Sequence, residues 1–293
     1  MNKEITVNRN YLLIPVRTEE EVRKLSVFDA DKKIYEFMVP VKEVDGSYGF
    51  HYYAAIPVMG WRDRQLTLEG DLPENFMEAV AQSDDIPENA SRRPVIHFTP
   101  NTGWLNDPNG LIFHDGIYHL FFQHNPFDTR WENMSWGHAV SGDLLHWEQK
   151  EDVLFPDKDG TMFSGCGIVN EQGKLGLGED TEIFFYTCAG GCSEWSNDKK
   201  FVQKIAYSTD HGNTLIKKED CVLGHIADEN RDPKVYWDEK RGQYYMVLYL
   251  ERNDYAIFVS KDLEQWEMTQ QLTFPETIEC PDFREIPIEG GGY

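Results

Sequence analysis

The chain has 293 residues, which is enough for one large domain or for two modest domains that each bury a core. Its formal net charge of −23 leaves no surplus of basic side chains to neutralise phosphates. We therefore expect neither a nucleic acid nor an anionic membrane as a partner. The hydrophobic share of 40% is ordinary for a globular protein.

The N-terminus and the cysteines bear on the cellular compartment. Residues 1–4 lack the apolar run of a signal peptide, and no stretch of the sequence approaches the length of a membrane span. If this start is authentic, the sequence predicts a cytoplasmic protein. Five cysteines without regular spacing fit reduced thiols. Cys188 and Cys192 are the closest pair, but no second pair at finger-like spacing accompanies them, so no structural zinc site is predicted.

Residues 1–90 are predicted to form a small β-rich accessory domain with no catalytic constellation of its own. Residues 18–21 have capping-box spacing and are expected to open a short helix, and residues 75–81 are expected to form another. Residues 83–93 are polar and are predicted to be a linker to the next domain. The segment is either a separate binding module or a packing extension of that domain. The strand-like runs within it are residues 11–16, 34–41 and 52–58.

A motif recurs in residues 91–293, where an apolar or aromatic run leads into Ser-x-Asp. Serine and aspartate at such positions bond nearby backbone N–H groups and fix a turn. The spacing between copies is the size of a four-stranded blade with variable loops, and helical periodicity is almost absent. The sequence therefore predicts an all-β fold, a β-propeller, rather than a doubly wound α/β domain. The copies are residues 141–147, 208–213 and 260–266.

Three acidic residues stand just before a proline and a predicted strand. They are Asp107 in Asn-Asp-Pro, Asp232 in Arg-Asp-Pro and Glu279 in Glu-Cys-Pro. Because proline has no N–H for a sheet ladder, it belongs at the first residue of a strand or on an edge. Each carboxylate is therefore predicted to stand at the mouth of a strand. The strands expected to follow are residues 111–113 with 117–122, residues 234–237 with 243–250, and residues 283–288.

In a propeller, the innermost strands of the blades start at one end of the central axis. The three carboxylates would begin the innermost strands of blades one, three and four, and residues 163–165, Phe-Ser-Gly, would begin that of blade two. We therefore expect them to converge on one site. Too few residues follow Glu279 to finish a fourth blade. We expect the chain to be a fragment of a longer protein, or to need another polypeptide to complete the ring.

Six short motifs occur in order between residues 94 and 289. They are Trp-Leu-Asn-Asp-Pro-Asn-Gly (104–110), Gln-His-Asn-Pro (123–126), Trp-Gly-His-Ala (136–139), Phe-Ser-Gly (163–165), Arg-Asp-Pro (231–233) and Glu-Cys-Pro-Asp-Phe (279–283). In these motifs the chain resembles glycoside hydrolase family 32, the invertases, levanases and inulinases that cleave β-fructofuranosyl bonds. The resemblance implies a five-bladed propeller, of which this chain holds about three and a half blades. One departure is His124, where the family usually has tyrosine.

The resemblance implies a role for each carboxylate. Asp107 is the nucleophile that forms a fructosyl-enzyme ester, Glu279 is the general acid and later the base, and Asp232 stabilises the transition state. Cleavage with retention requires two carboxyl groups, one ionised and one protonated. Like-charge repulsion from the aspartates is expected to raise the pKa of Glu279 in that direction. Arg231 is expected to hold substrate hydroxyls and to keep Asp232 ionised.

Further residues match family positions that line the fructose pocket, with local turn or core packing as the alternative. Trp131 is predicted either to stack on the sugar or to pack in the core. Cys280 is expected to shape the surroundings of the acid by packing. The predicted substrate-binding residues are Asn106, Gln123, Trp131, Phe163, Ser164, Arg231 and Cys280.

Neither a metal nor a cofactor is predicted. His114, His119 and His124 follow one another at intervals of five on or near one strand, so we expect them to point to alternating faces and do not expect joint ligation of a metal. No phosphate-cradling loop is found in the sequence, and the mechanism that the resemblance implies requires no cofactor.

We therefore predict a retaining β-fructosidase that acts on sucrose or on the ends of fructans, with a possible oligomer partner or completing polypeptide. Sucrose-6-phosphate hydrolase is a rival, favoured by the missing signal peptide, although it would need a basic subsite. An inverting arabinan-active propeller also uses three carboxylates, with the acid and base farther apart. A catalytically inactive sugar-binding propeller is the rival from a different class of protein.

Overall fold

The computed structural model describes residues 2–87, 94, 96–277, 279–284, 286 and 289. The fold is nearly all β, with 50% of residues in strands and 4% in helices. The strands form five antiparallel sheets, as the all-β prediction requires. Within the described residues, no helix has the length and apolar character needed to cross a membrane.

The first two sheets come from the N-terminal part of the chain. One sheet has the strand order β1-β6-β3-β4, and the other has the order β5-β2-β7. The strands are β1 (Asn2–Thr6), β2 (Tyr11–Val16), β3 (Glu21–Asp29), β4 (Lys32–Val41), β5 (Tyr52–Pro57), β6 (Gln65–Glu69) and β7 (Ala81–Ser83). The helices are a 3-10 turn at Met59–Trp61 and α1 at Glu74–Ala79.

The structure confirms the three predicted N-terminal strands and the helix near residue 75. The helix predicted at residues 18–21 is wrong: Glu19 has a φ of 69°, which is not helical, and Glu21 begins β3. The backbone N–H of Glu19 instead donates to Asp128 Oδ1 at 3.1 Å. In the predicted linker, Ser83 ends β7, and residues 88–93 lie outside the described residues. The division into two domains at residue 90 stays a prediction.

The remaining strands form three four-stranded sheets, which are the predicted blades. In each, the chain runs up and down through neighbouring strands. Blade one holds β8 (Trp104–His114), β9 (Ile117–Asn125), β10 (Ser135–Ser141) and β11 (Glu148–Gln149). Blade two holds β12 (Thr161–Val169), β13 (Glu182–Ala189), β14 (Val202–Ser208) and β15 (Ile216–Leu223), with a 3-10 turn at Glu194–Ser196. Blade three holds β16 (Arg231–Asp238), β17 (Gln243–Glu251), β18 (Asp254–Ser260) and β19 (Glu267–Thr273).

The first strand of each blade is its innermost strand. β12 contacts both β8 and β16, so the three first strands pack side by side around a common axis. Apolar side chains fill the spaces between the blades. Trp136 of blade one meets Phe184 of blade two edge to face, and Phe185 of blade two packs with Met246 of blade three. Full burial of each such side chain contributes about 1.5 to 3 kcal/mol.

The recurring Ser-x-Asp motif forms the turn after the third strand of each blade, as predicted. In blade one, Asp143 Oδ1 accepts hydrogen bonds from the backbone N–H groups of Leu145 and His146, at 2.9 and 2.8 Å. In blade three, Asp262 Oδ1 accepts the equivalent two bonds at the same distances. Asp210, in the looser copy of blade two, accepts from the N–H of Thr214 at 2.9 Å.

The predicted fourth inner strand is not formed where the structure describes it. Residues 274–277 and 279–284 contain no strand, so Glu279 lies on an irregular segment after blade three rather than at the mouth of a strand. Phe283 and Arg284, the first residues of the predicted strand 283–288, are in irregular structure, and most of the rest of that strand lies outside the described residues.

Candidate active site

Each of the three innermost strands carries a β-bulge, and the predicted site residues lie in the bulges. In blade one, Leu105 pairs with His124 and Pro108 pairs with Phe122, so three steps on β8 face two on β9. The same irregularity lies between Met162 and Gly165 in β12, and between Arg231 and Lys234 in β16. A bulge bends its strand and re-aims the side chains within it. Asn106 with Asp107, Phe163 with Ser164, and Asp232 are therefore turned out of the sheet ladders.

The bulges also correct the predicted positions of the two aspartates. Asp107 and Asp232 do not precede their strands, because β8 begins at Trp104 and β16 at Arg231. The proline after each aspartate lies inside the strand, at the bulge, where its missing N–H breaks no ladder bond. The two prolines therefore mark the positions of the aspartates correctly, but they do so because they lie at bulges and not because they begin strands.

The bulges and the segment around Glu279 enclose one cavity of about 320 Å³. This volume lies at the lower end of the range for small-molecule sites. All three predicted catalytic carboxylates line it, and so do six of the seven predicted binding residues. The lining residues are Asn106, Asp107, Gln123, Trp131, Met134, Phe163, Ser164, Arg231, Asp232 and Glu279.

Asp107 is held by the neighbouring blade. The hydroxyl of Ser164 donates a hydrogen bond to Asp107 Oδ2 at 2.8 Å. The same hydroxyl accepts a hydrogen bond from the side-chain amide of Asn109 at 3.4 Å. The bond from Ser164 to Asp107 ties the bulge of β12 to the bulge of β8. It fixes the orientation of the carboxylate while leaving the other oxygen, Oδ1, for a reacting group.

Asp232 is the most buried of the three carboxylates, with 8% of its surface exposed. Its φ of 62° is uncommon for aspartate, and its own N–H donates to Thr187 Oγ1 at 3.0 Å. The N–H of Cys280 donates to Asp232 Oδ2 at 3.1 Å, and the Cys280 sulfur lies 3.7 Å from the same oxygen. Burial raises the pKa of Asp232 to about 6, against the lowering effects of the Cys280 N–H and of Arg231.

Arg231 pairs more closely with Glu279 than with Asp232. Its Nη2 lies 2.6 Å from Glu279 Oε1, whereas its Nε lies 3.8 Å from Asp232 Oδ2. The guanidinium also lies over the ring of Tyr249, 4.6 Å from the centroid. Arg231 still favours the ionised form of Asp232, as expected, but burial outweighs this effect on the pKa of that carboxyl. The pairing with Glu279 was not foreseen.

The backbone around Glu279 and Cys280 is unusual. Their φ angles are 60° and 42°, so two consecutive non-glycine residues occupy the left-handed region. Such conformations are costly and persist where surrounding contacts hold them. The contacts here are the ion pair of Glu279 with Arg231 and the hydrogen bond from Cys280 to Asp232. Cys280 is the one predicted binding residue that does not line the cavity, and it supports Asp232 from behind.

The other predicted binding residues form the walls of the cavity. The Gln123 amide donates to the carbonyl of Met162 at 2.9 Å, while its buried Oε1 has no partner within the described part of the chain. Asn106 Oδ1 accepts from the Trp104 indole at 3.0 Å. The Trp131 ring, 49% exposed, meets Phe163 edge to face, with ring centroids 6.1 Å apart. An exposed indole at a cavity rim supports the stacking alternative over the core alternative.

Sequence reasoning missed three residues at the site. Met134 lines the cavity, Thr187 holds the backbone of Asp232, and Tyr249 supports Arg231. None of them lies in the recognised motifs. Thr187 lies within β13 and contacts the bulge of β16, so only the packing of blade two against blade three could reveal it.

The three histidines considered as a metal set do not meet at one point. His124 Nδ1 contacts Asp152 at 2.8 Å, and its Nε2 contacts the carbonyl of Thr102 at 2.9 Å. His114 and His119 instead face Glu182 of blade two. The prediction that the histidines point to alternating faces is therefore wrong for His114 and His119, which share Glu182 as a neighbour, whereas His124 contacts Asp152 instead.

Three antiparallel blades and the segment after them bring a buried, a half-buried and an exposed carboxylate into one cavity, which defines a β-propeller with the side chains that glycoside hydrolysis requires. Residues 97–292 match the family model described as the glycosyl hydrolases family 32 N-terminal domain. The chain belongs to glycoside hydrolase family 32, as its motifs predicted.

The chain is similar to curated enzymes of this family. It is 38% identical over 208 residues to the levanase of Bacillus subtilis, covering 68% of this chain and 30% of that protein. It is 36% identical over 221 residues to an invertase of Schizosaccharomyces pombe, covering 69% of this chain and 37% of that protein. The chain thus spans about a third of the length of these relatives.

The fold is likewise similar to solved structures. A fructofuranosidase from Schwanniomyces occidentalis complexed with fructose matches with a TM-score of 0.62 at 35% identity, covering 69% of this chain and 41% of that chain. An exo-inulinase from Aspergillus awamori matches with a TM-score of 0.55 at 32% identity, over 61% of this chain and 39% of that chain. These matches agree with the propeller prediction.

Proposed function

We propose that the protein to which this chain belongs is a retaining β-fructofuranosidase that cleaves terminal fructosyl residues from sucrose, fructo-oligosaccharides or fructans. The observation that carries the proposal is that Asp107, Asp232 and Glu279, far apart in the sequence, line one cavity of sugar size. The named relatives, a levanase and an invertase among them, support the substrate class.

In the proposed first step, an Asp107 oxygen attacks the anomeric carbon of the fructosyl unit. Glu279 donates a proton to the glycosidic oxygen, so the leaving sugar departs as a neutral alcohol. The hydrogen bond from Ser164 to Asp107 Oδ2 supports this role, because it orients the nucleophile without neutralising it. In the second step, Glu279 takes a proton from water as that water attacks the same carbon, which releases fructose and regenerates Asp107.

Asp232 is proposed to accept hydrogen bonds from the sugar hydroxyls and to stabilise positive charge on the ring. A pKa of about 6 leaves it mostly ionised at neutral pH. Because it is buried, its charge acts in a medium of low dielectric, where electrostatic stabilisation of a transition state is strongest.

Arg231 must change partners in this cycle. Its Nη2 lies 2.6 Å from Glu279 Oε1, on the carboxyl group that must reach the glycosidic oxygen in the first step. We propose that sugar hydroxyls entering the cavity displace the pair, so that the guanidinium turns to the substrate and Glu279 is free to face the glycosidic oxygen. Tyr249, stacked on the guanidinium, limits how far Arg231 moves.

A phosphorylated substrate receives less support. Among the described residues that line the cavity, Arg231 carries the one positive charge, and it already pairs with Glu279. A phosphate needs charge-assisted hydrogen bonds from uncommitted cations. Unphosphorylated sucrose and fructans therefore fit the cavity better than sucrose 6-phosphate.

The test is product analysis with the full-length protein on sucrose, inulin, levan and sucrose 6-phosphate, with NMR used to follow the anomer released first. The proposal predicts fructose released first as the β-anomer from unphosphorylated substrates. First release of the α-anomer would indicate inversion. Binding without fructose release would indicate a sugar-binding propeller, and cleavage of sucrose 6-phosphate alone would establish that rival.

A matched pair of variants separates the site from the fold. Asp107→Asn should lower turnover at least about a thousandfold, because it removes the attacking carboxylate. The melting temperature should be nearly unchanged. Asp115→Asn, in the exposed hairpin turn of the same strand pair, should retain full turnover. Equal turnover in the two variants would refute the assignment of the nucleophile.

A further inference from the structure

A second cluster of titratable side chains lies between blades one and two, at the opposite end of β8 from Asp107. His114 ends β8, Glu182 begins β13, and His211 lies in the turn after β14. One ligand atom from each of the three lies within 4.8 Å of the others. Nothing in the proposed hydrolysis uses this cluster.

Glu182 is the centre of the cluster and is buried, with 1% of its surface exposed. Its Oε1 lies 2.9 Å from His114 Nδ1 and 3.8 Å from His119 Nε2. Its Oε2 has no hydrogen-bond partner among the described residues. A buried carboxylate is strongly disfavoured unless it is paired with a cation or binds a metal. One imidazole contact to one of its two oxygens leaves this requirement only partly met.

The positions of the protons on the rings of His119 and His138 determine what His119 presents to Glu182. His119 Nδ1 and His138 Nε2 are 3.1 Å apart, so one of these nitrogens donates a proton to the other. Both rings are buried, with 3% of the surface of His119 and 0% of that of His138 exposed. A neutral imidazole has one donor and one acceptor.

If His119 Nδ1 is the donor, the bare lone pair of His119 Nε2 faces the Glu182 carboxylate at 3.8 Å. If His138 is the donor, His119 Nε2 carries a proton with no acceptor within the described part of the chain, and His138 Nδ1 is a bare buried lone pair. A cation between His119 Nε2 and Glu182 satisfies both of these groups in the first arrangement, while the proton on His138 Nδ1 has no acceptor within the described part of the chain. His138 Nδ1 is unsatisfied in both arrangements, and the first one presents the lone pair of His119 Nε2 to a cation.

We propose that this cluster binds a divalent late first-row transition-metal ion of the Zn²⁺ type. The ligands are His114, Glu182 and His211, with His119 Nε2 as the fourth. Three imidazoles and a carboxylate are a donor set that Zn²⁺ accepts in tetrahedral geometry. The bond between His119 and His138 then orients the ligating ring from behind, as is usual for histidine ligands.

Space at the site is kept by a glycine. A Cβ added to Gly212 would lie 3.3 Å from Glu182 Oε2 and 3.2 Å from a carbon of the His138 ring. The φ of Gly212 is 71°, which also favours glycine. The turn that presents His211 therefore passes close over the carboxylate. His211 is exposed, so its ring can approach the metal from solvent.

The metal would tie the last residue of the inner strand of blade one to two elements of blade two. His114 is seven residues from Asp107 along β8, which places the metal roughly 20 Å from the sugar cavity. The site is therefore structural, and its effect is on stability. The sequence could not reveal it, because the ligands come from different blades.

The experiment uses untagged protein dialysed against a chelator. Zn²⁺ binding is measured by titration calorimetry, ligation by the absorption spectrum of bound Co²⁺, and stability by the melting temperature. We expect one ion per chain, a tetrahedral Co²⁺ spectrum and a higher melting temperature with Zn²⁺. His211→Ala should weaken binding at least about tenfold and remove most of the thermal shift.

His146→Ala is the matched control, because His146 is an exposed histidine in the equivalent turn of blade one. It should bind Zn²⁺ and respond to it as the unmodified protein does. Glu182→Gln serves as a second variant, which keeps the side-chain shape while removing the charge, and it should also lose binding. Unmodified protein that does not bind Zn²⁺, or equal binding by the His211 and His146 variants, would overturn the proposal. Both outcomes would favour a simple ion pair of His114 with Glu182.

Discussion

At the scale of single residues, Asp232 is a carboxyl group whose ionisation lowers the stability of the fold but is required for its proposed role. The fold buries this carboxyl and supplies it with one backbone donor, from Cys280, and with a distant guanidinium. These contacts do not recover the solvation that burial removes, so its pKa rises to about 6. The proposed role nevertheless needs the ionised form. A carboxyl group whose ionised form is destabilised by burial, and which in that form stabilises a transition state, is typical of a functional site.

The free energy of unfolding should therefore change with pH as Asp232 ionises. The pKa of Asp232 in the folded protein is raised from 3.8 to about 6. The stability that its protonated carboxyl group contributes is therefore fully present below about pH 4 and is lost as the pH rises through 6. Ionisation should cost about 3 kcal/mol at neutral pH. Asp232→Asn should match the unmodified protein near pH 4, exceed it in unfolding free energy near pH 7, and have lost turnover.

Chemical denaturation of both proteins at several pH values measures this difference. Using the difference between the two proteins cancels the titration of all other groups. A difference that does not change between about pH 4 and pH 7 would mean that the folded pKa of Asp232 is not raised.

At the scale of single elements, the repeated bulge in the inner strands is the feature that builds the cavity. It places one extra residue in each of β8, β12 and β16, and residues of all three bulges line the same cavity. In β12 the bulge ends at Gly165, where an added Cβ would lie 1.9 Å from the carbonyl oxygen of Phe185 on the neighbouring strand. This close approach of two backbones allows Ser164 to reach Asp107.

Gly165→Ala should force β12 away from β13. We expect a loss of at least about 2 kcal/mol in unfolding free energy, because the clash is with backbone and cannot be relieved by a side-chain rotation. Turnover of the remaining folded protein should also fall, since Ser164 would lose its position beside Asp107. Gly142→Ala is the control, because an added Cβ at Gly142 meets nothing within 4 Å. If the two variants melt alike, the close approach at the bulge is not a constraint on the fold.

The elements also show what the sequence could and could not predict. The turns after the third strands were predictable because Ser-x-Asp bonds the backbone locally. The bulges were not, because a shift of register depends on the partner strand as well as on the strand itself. Proline after Asp107 and Asp232 marked the position, but it does not distinguish a strand start from a bulge.

The same limit applies to the partners of the site residues. The motifs identified Arg231 and Glu279, but their ion pair depends on the path of the irregular segment after blade three. The family resemblance covered the residues that meet the sugar. It gave no information on Thr187 or Tyr249, whose contribution depends on how blades two and three meet.

At the scale of the whole molecule, the N-terminal sheets and blade one share a core. Phe127, from the connection between β9 and β10, is fully buried among the N-terminal apolar residues, and its ring lies 4.4 Å from that of Phe37 on β4. Asn133 adds two hydrogen bonds to the backbone of Met38, at 2.8 and 2.9 Å. Such contacts favour the alternative in which the N-terminal segment is a packing extension of the propeller.

Phe127→Ala should therefore destabilise both regions together. Removing a fully buried aromatic side chain leaves a cavity and should cost about 3 to 5 kcal/mol. Hydrogen exchange should accelerate in β4 as well as in β9 and β10. Phe113→Ala, at an exposed phenylalanine of β8, should cost about 1 kcal/mol or less. Acceleration confined to blade one would indicate that the N-terminal sheets are an independent domain.

The most direct test of the proposed mechanism is to trap its covalent intermediate. With p-nitrophenyl β-fructofuranoside the leaving group needs no acid, so Glu279→Gln should form the ester but hydrolyse it slowly. Peptide mass spectrometry of the acid-quenched full-length protein should then find one fructosyl group on Asp107, and none in the Asp107→Asn, Glu279→Gln double variant. A fructosyl group on a different residue, or release of p-nitrophenol through the Glu279 variant without any adduct, would contradict the account.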